Sequence, residues 1–285
     1  SSAFNNQVIN SASDAASMDT ELDNFIEMVF NQQATAKNIC KKIYTYFVKS
    51  TISTEVENDI ITPLAQDLHN NNYEIVPIIR KLLESQHFYD LDDSDSGDET
   101  IGGIIKSPIQ QLSEICTFLQ ATIPDPNSDP LNFYNVFWWN FVNNIFCRLS
   151  NMVLFYPENV AGHAAYYQAP DFDKAWISSS TLIAKYRLGE SLLDGVNRIY
   201  GNINIAAKIS ISEVLKNGTI VSNPSDPFIL TSELCNALFA QETDNERINY
   251  FMNSFLLQDF TSPYWTDAWN SYIRISSDGR LFIPA

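Results

Sequence analysis

Apolar residues recur at three- and four-residue spacing through most of the chain, the period of helices that pack along one side. Leu22, Phe25, Ile26, Val29 and Phe30 share one face and Glu21, Asp23 and Glu27 the other, which predicts an amphipathic helix capped by Asp19 or Thr20. A second helix is predicted over 35–48, with Ile39, Ile43, Tyr46 and Phe47 on one side and Lys37, Lys41 and Lys42 on the other. Val56, Ile60, Leu64 and Leu68 keep a four-residue spacing over 55–69, where Pro63 predicts a kink or a restart. Ile75, Ile78, Ile79, Leu82 and Leu83 predict a further helix over 73–85. The short breaks between these segments predict an antiparallel array.

After Lys106-Ser107-Pro108 a helix carries Ile109, Leu112, Ile115, Cys116 and Leu119. The loop 123–130 holds three prolines and predicts a boundary between helical sub-domains 19–122 and 123–285, with 1–18 a polar linker or cut edge. Residues 131–152 read as one long helix with two apolar ridges, Phe133, Phe137, Phe141, Ile145 and Leu149 beside Tyr134, Trp138, Val142 and Phe146. Its polar face is Asn132, Asn135, Asn140, Asn143 and Asn144. So little charge predicts a helix packed on most sides, its amides bonded within the protein; an asparagine row is also suited to sugar hydroxyls. A short helix is predicted over 182–196, and the alternation in 202–211 allows at most a β-hairpin. Two further helices, 230–239 and 245–257, precede an aromatic segment of Tyr264, Trp265, Trp269 and Tyr272. The fold class is therefore all-α, an irregular multi-helix array around one long loop.

That loop, 155–181, is the least helix-like and most chemically varied part of the chain. Pro157 and Pro170 rule out one continuous helix, and Gly162 permits backbone angles that other residues resist. A connection of about 27 residues is far beyond the usual length and is functional or disordered, and its five aromatic rings argue against disorder. Asn159, His163, Tyr166, Tyr167, Asp171 and Trp176 are the candidate ligand-binding residues. Tyrosine and tryptophan rings stack on the apolar faces of sugars, while amide and carboxylate groups pair with hydroxyls. The structural alternative makes the same residues a packing signature, with Asn159 and the hydroxyls of 178–181 capping helix ends.

Composition narrows the partners. The 285 residues are 45% apolar, enough for a substantial core, and 17 basic residues against 34 acidic ones leave a net charge of −17. Such a surface repels nucleic-acid phosphates and anionic membranes, and no uncharged apolar run reaches the roughly 18 residues of a membrane span. Residues 1–18 carry neither a basic nor an apolar leader region, so no signal peptide is expected within them. Cys40, Cys116, Cys147 and Cys235 are far apart inside apolar patterns and read as buried thiols, with no zinc or redox spacing. The acidic run 90–99 places Asp93, Asp95 and Asp98 around Gly97 in a pattern that resembles a calcium loop. Counting back from that glycine puts Gly103 where the bidentate glutamate belongs, and a solvated acidic loop is the alternative.

Catalysis finds thin support. The chain has three histidines. His69 and His87 lie at helix ends, where surface or capping roles are expected, and His163 has no nucleophile elbow beside it. Glu158 with Asp171 or Asp173 is a possible glycosidase pair of unknown separation. Lys106-Ser107 suggests a serine–lysine dyad, but the proline that follows makes it a helix start.

The ordered segments ATAKNICKKIYTYFV, NYEIVPIIRKLLESQHFYD, GGIIKSPIQQL, FYPENVAG and AWISSSTL resemble the bacterial family called domain of unknown function 1800, from about Glu21 to the C-terminus. The resemblance implies a longer protein, of which this chain is the C-terminal half, exported by a signal peptide. It also implies a gene neighbourhood shared with the family called domain of unknown function 1501, which is similar to sulfatases and phosphatases. Where relatives carry tryptophan after Asn-Val-x-Gly, this chain has His163. Taken together, the expectation is a non-enzymatic module that recognises a surface glycan or a partner protein through 155–181. The alternatives are part of a hydrolase acting on an extracellular polymer, and a scaffold for the sulfatase-like neighbour.

Overall fold

The computed structural model describes residues 4, 6–89, 103–166, 168–169, 171–240 and 242–277, and the chain forms two compact units, Ser1–Ile104 and Ile105–Ala285. The fold is all-α; the one sheet among the described residues is a pair of two-residue strands. The division falls ahead of the helix at 108–118 and not at the proline-rich loop 123–130, because Leu112 and Cys116 are buried with Phe137 and Phe141 in the core of the second unit.

In the first unit, α1 (Ala15–Phe30) starts before the point the pattern suggests. Asp14, not Asp19 or Thr20, is its N-cap: the carboxylate accepts the Ser17 N–H at 2.8 Å, and the Ser17 hydroxyl accepts the Asp14 N–H at 3.2 Å. Those bonds from the Ser17 backbone and hydroxyl hold the Asp14 carboxyl below the usual range. The apolar stripe of α1 enters no core; Leu22, Phe25, Ile26 and Phe30 are exposed. On α2 (Gln33–Phe47) the buried positions are Ala36, Cys40 and Tyr44, while Tyr46 and Phe47 face outward. The stripe is turned from the predicted one because α2 packs chiefly on a helix that presents Ala65, and small residues on both sides let the backbones approach.

That partner is one continuous helical run: α3 (Thr54–Val56), a π-helical turn at Glu57–Ile61, and α4 (Thr62–Asn70). The π turn inserts a residue, so the fully buried position after Val56 is Ile61 and not Ile60. Pro63 follows closely on this π turn, where the Glu57 carbonyl accepts from both the N–H and the hydroxyl of Thr62. Two short helices, α5 (Ile75–Leu83) and α6 (Gln86–Tyr89), close the unit. His87, expected at a surface, is buried instead, its Nε2 hydrogen-bonded to the Tyr44 hydroxyl at 2.9 Å with the two rings stacked.

The second unit begins with α7 (Pro108–Phe118), whose N-cap Ser107 and Gln110 form a capping box; Lys106 is paired with Glu114. The long apolar segment is wound as a π-helix, Leu131–Cys147, and buries Phe137, Phe141, Val142, Ile145 and Phe146. Its asparagine face is mostly solvent-exposed, contrary to expectation: of the five, only Asn143 is buried, its Oδ1 accepting the Leu154 N–H at 3.2 Å. The ridges supply enough apolar surface on one side, so the other needs no cover. Beyond the loop comes α8 (Ser179–Asp194), stopped by Gly195 at φ +70°, then β1 (Val196–Asn197) antiparallel to β2 (Ile203–Asn204), a small hairpin of which only the second strand falls within 202–211. A bridge between Thr122 and Lys208 ties that region to the start of the proline-rich loop 123–130. The last elements are α9 (Ile211–Lys216), α10 (Pro227–Leu238), α11 (Asn245–Phe251) running into a π-helical turn at Met252–Leu257, and α12 (Ser262–Ser277). They share a small core of Leu215, Val221 and Leu230 with Trp265 and Trp269 against it. No described helix is long and apolar enough to cross a membrane.

All four cysteines are free and buried. Burial pushes the Cys40 and Cys116 thiols up to about 11 and Cys147 up to about 12, the last against a small opposing pull from Lys185. At pH 8 such thiols are at most about 0.1% thiolate, so these three resist a disulfide reagent in the folded protein and react at once in denaturant. Native-state thiol titration checks this; rapid modification of any of the three contradicts their burial.

Candidate functional site

The central stretch is built as an anchor with an exposed tip. Leu154 joins the main core, and the chain then turns outward: Phe155 adopts φ +61°, a left-handed conformation unusual for so bulky a residue, and its side chain is 89% exposed. Tyr156 is 80% exposed and Val160 fully so. Beyond them the backbone makes a tight turn, the Gly162 N–H donating to the Asn159 carbonyl at 3.1 Å with Gly162 at φ +110°, a conformation open to glycine. Asn159, a candidate ligand residue, holds this turn: its side-chain oxygen accepts the Ala161 N–H at 2.9 Å.

The return path is the anchor. Two short 3₁₀ helices, Ala164–Tyr166 and Phe172–Trp176, lie against each other, and Ala165 and Trp176 enter the core. Trp176 is 3% exposed, so it is a packing residue and not a free platform. The Tyr166 ring meets it edge to face at 5.6 Å and stays 48% exposed, and the half-buried His163 ring lies 6.0 Å from it. His163 thus occupies an aromatic packing position. Asp173 is buried too, one carboxylate oxygen accepting the Ile105 N–H at 2.6 Å, which fastens the loop to the start of its unit; the other oxygen has no hydrogen-bond partner among the described residues. Asp171 is exposed, as is Glu158. Tyr167 lies outside the described residues, as do the calcium candidates Asp93, Asp95 and Asp98. Among the described residues no three histidine, cysteine or acidic side chains gather in a metal-binding cluster.

Ser178 closes the stretch as N-cap of α8 in a capping box with Thr181, whose hydroxyl also donates to the Trp176 carbonyl at 3.0 Å. This joins helix start to anchor. Ser178→Ala removes the acceptor for the Thr181 N–H, and the expected loss is about 1 kcal/mol in chemical denaturation. A loss too small to measure would mean that solvent replaces the cap.

Cavities also lie elsewhere among the described residues of the second unit. One, of about 370 Å³, is lined almost wholly by apolar side chains from α9 to α12, including Leu234, Phe239 and Trp265. Another, of about 510 Å³, lies between α7 and the end of α10 and includes Lys106, Glu114 and Phe118. Neither is lined by a residue of 155–181. Neither the apolar tip nor the first cavity is foreshadowed by the helical pattern. The tip has no periodicity to mark it; for the cavity a signal does exist, since Ile248, Tyr250, Phe251, Phe255, Leu256 and Leu257 carry more apolar surface than one helix face buries.

The family described as protein of unknown function (DUF1800) has a model that matches residues 3–277. The chain belongs to this family. The match takes in nearly the whole DUF1800 chain, including α1 and the residues ahead of the first resembling segment. No curated protein and no solved structure matches it.

Proposed function

We propose that this DUF1800 protein is an exported, non-enzymatic binding module that captures a partner protein through the tip of the central loop. The observation that carries this is the exposure of Phe155, Tyr156 and Val160 at the loop tip, with Phe155 held in a strained backbone conformation. Strain of this kind costs about 1–3 kcal/mol, persists only where the surroundings enforce it, and collects at functional sites. Here Leu154 packs on the core with its N–H on Asn143 Oδ1, and the Tyr156 N–H donates to the Val153 carbonyl, which hold the backbone on either side of Phe155. An aliphatic side chain at the summit suits a protein surface better than a sugar, whose recognition needs ring faces flanked by free polar groups. Of the candidate catalytic groups, three have structural employment: Ser107 caps a helix, Lys106 is paired, and His163 packs on Trp176. An exterior location follows the family resemblance, and the sulfatase-like neighbour family, domain of unknown function 1501, provides the first partner to test.

The test is a calorimetric titration of the chain with the neighbouring family's protein, using the parent and a variant carrying Phe155→Ser, Tyr156→Ser and Val160→Ser. The expected result is saturable binding by the parent and a loss of about tenfold or more in the variant, with stability changed by no more than about 0.5 kcal/mol per position. Binding that survives the triple change removes the tip from the interface. Binding of a polysaccharide from a bacterial and plant panel, lost in the same variant, replaces the protein partner by a glycan.

A further inference from the structure

The first helix is secured at both ends and covered along neither edge. The Asp14 and Ser17 capping box closes the N-terminus of α1, and no residue of its 16 is buried. Its C-terminal end is fastened to the rest of the first unit. The Thr35 hydroxyl donates to the Val29 carbonyl at 2.6 Å, the Tyr73 hydroxyl donates to the Phe30 carbonyl, and the Phe30 and Tyr73 rings meet edge to face at 4.7 Å. Ahead of that anchor Met18, Leu22, Phe25 and Ile26 are exposed, 44% at the least. They recur at i, i+4, i+7 and i+8, the spacing by which one helix anchors on another. A helix of about this length draws most of its stability from packing its apolar face, and a face already ordered before contact loses less entropy on binding. We propose that this stripe docks an amphipathic helix of a partner protein, one that carries lysine or arginine beside its apolar ridge. The surface belongs to the first unit and is independent of the 155–166 tip, so either can fail alone.

Charge selects the occupant, and the charges sit on the same helix as the stripe. At about 3.6 residues per turn, Asp19 and Asp23 follow Ile26 along one edge with Glu27 just beyond, and Glu21 follows Phe25 along the other. Asp19, Asp23 and Glu27 are exposed and have no ion pair among the described residues. The whole chain has 17 basic residues for its 34 acidic ones, whereas α1 has these carboxylates and no cation at all. An apolar stripe edged by unanswered carboxylates favours a ridge edged by cations, as flanking charges set partner choice between coiled helices. The same pattern opposes a second copy, because two α1 stripes laid together set carboxylate against carboxylate, and it opposes an anionic membrane.

Two labelled helical peptides of about 14 residues, roughly four turns, test this on the full chain. They share one leucine ridge and differ in flanks of lysine or glutamate. Fluorescence anisotropy should show saturable binding of the lysine peptide, weakened by salt, and an affinity about tenfold lower or worse for the glutamate peptide. One variant combines Leu22→Ala, Phe25→Ala and Ile26→Ala, which removes the stripe with the best helix former, and should weaken the lysine peptide about tenfold. A second combines Asp19→Lys, Asp23→Lys and Glu27→Lys and should invert the preference, so that the glutamate peptide binds the tighter. Glu21 is kept, because its carboxylate accepts the Ala12 N–H at 2.7 Å. Circular dichroism and thermal melts check that both variants keep their helices. No binding of the lysine peptide, or binding indifferent to the alanine variant, overturns the site. A preference that survives the charge reversal overturns the charge selection. Self-association of the parent that is lost in the alanine variant makes a second copy the occupant and overturns the partner helix. Binding to phosphatidylcholine vesicles that is lost in the same variant overturns it in favour of a lipid surface.

Discussion

Trp176→Ala lowers the unfolding free energy of the second unit by about 3–5 kcal/mol, the range for deleting a buried indole. Trp176 lies in the core with Phe141, Phe146, Leu188 and Leu192, which come from the π-helix and α8. Those helices are fixed by their own packing, so the wall around a missing ring cannot close over it, and the cavity persists. The loss extends into the loop. His163 and Tyr166 rest on the Trp176 ring, and without it the turn at 159–162 loses its footing. Urea denaturation of the full chain measures the change, and hydrogen exchange across 155–166 reports the loosening. A loss below about 1 kcal/mol would contradict the anchor, because a ring that contributes so little is not filling a core.

The second large effect is at Tyr44, in the other unit. Its side chain is fully buried with Cys40, Ile61, Leu68 and Leu82, and its hydroxyl is bonded to the buried His87. Tyr44→Ala combines a cavity of about 3–5 kcal/mol with the removal of that bond. Tyr44→Phe separates the two: the ring stays, and the expected loss is about 1–2 kcal/mol, the range for removing one partner of a buried hydrogen bond. The pair of variants, compared by urea denaturation, therefore gives both contributions. Equal losses in Phe and Ala forms would assign the whole effect to the hydroxyl and contradict the packing account.

Helical periodicity makes the all-α fold legible. Val56, Leu64 and Leu68 fall on the predicted face, as do Ile78 and Leu82, because these helices each bury one stripe. Finer detail is lost where backbone winding or small residues decide the outcome. A π turn moves burial from Ile60 to Ile61, a shift that residue spacing does not announce. Ala36 and Cys40 outrank Tyr46 and Phe47 on α2 because close helix approach rewards small side chains, whereas a hydrophobicity pattern favours large ones. The central loop is legible as an exception to the helical pattern. Its inward and outward residues are not, since a loop has no period: Trp176, which reads as an exposed ring, is core, while nothing in the pattern singles out the apolar tip at 155–160. Asn159 reads as a ligand residue because amides bind hydroxyls, and the structure uses that same chemistry on its own backbone.

Hydrogen–deuterium exchange of the full chain, with and without the neighbouring family's protein at saturating concentration, tests the central proposal most directly. Backbone amides of a turn that is exposed when free and buried in a complex slow their exchange. The expected result is new protection at 155–166 while the core helices bearing Phe141 and Leu188 are unchanged. Saturated binding with exchange at 155–166 unaltered would contradict the tip as the contact surface.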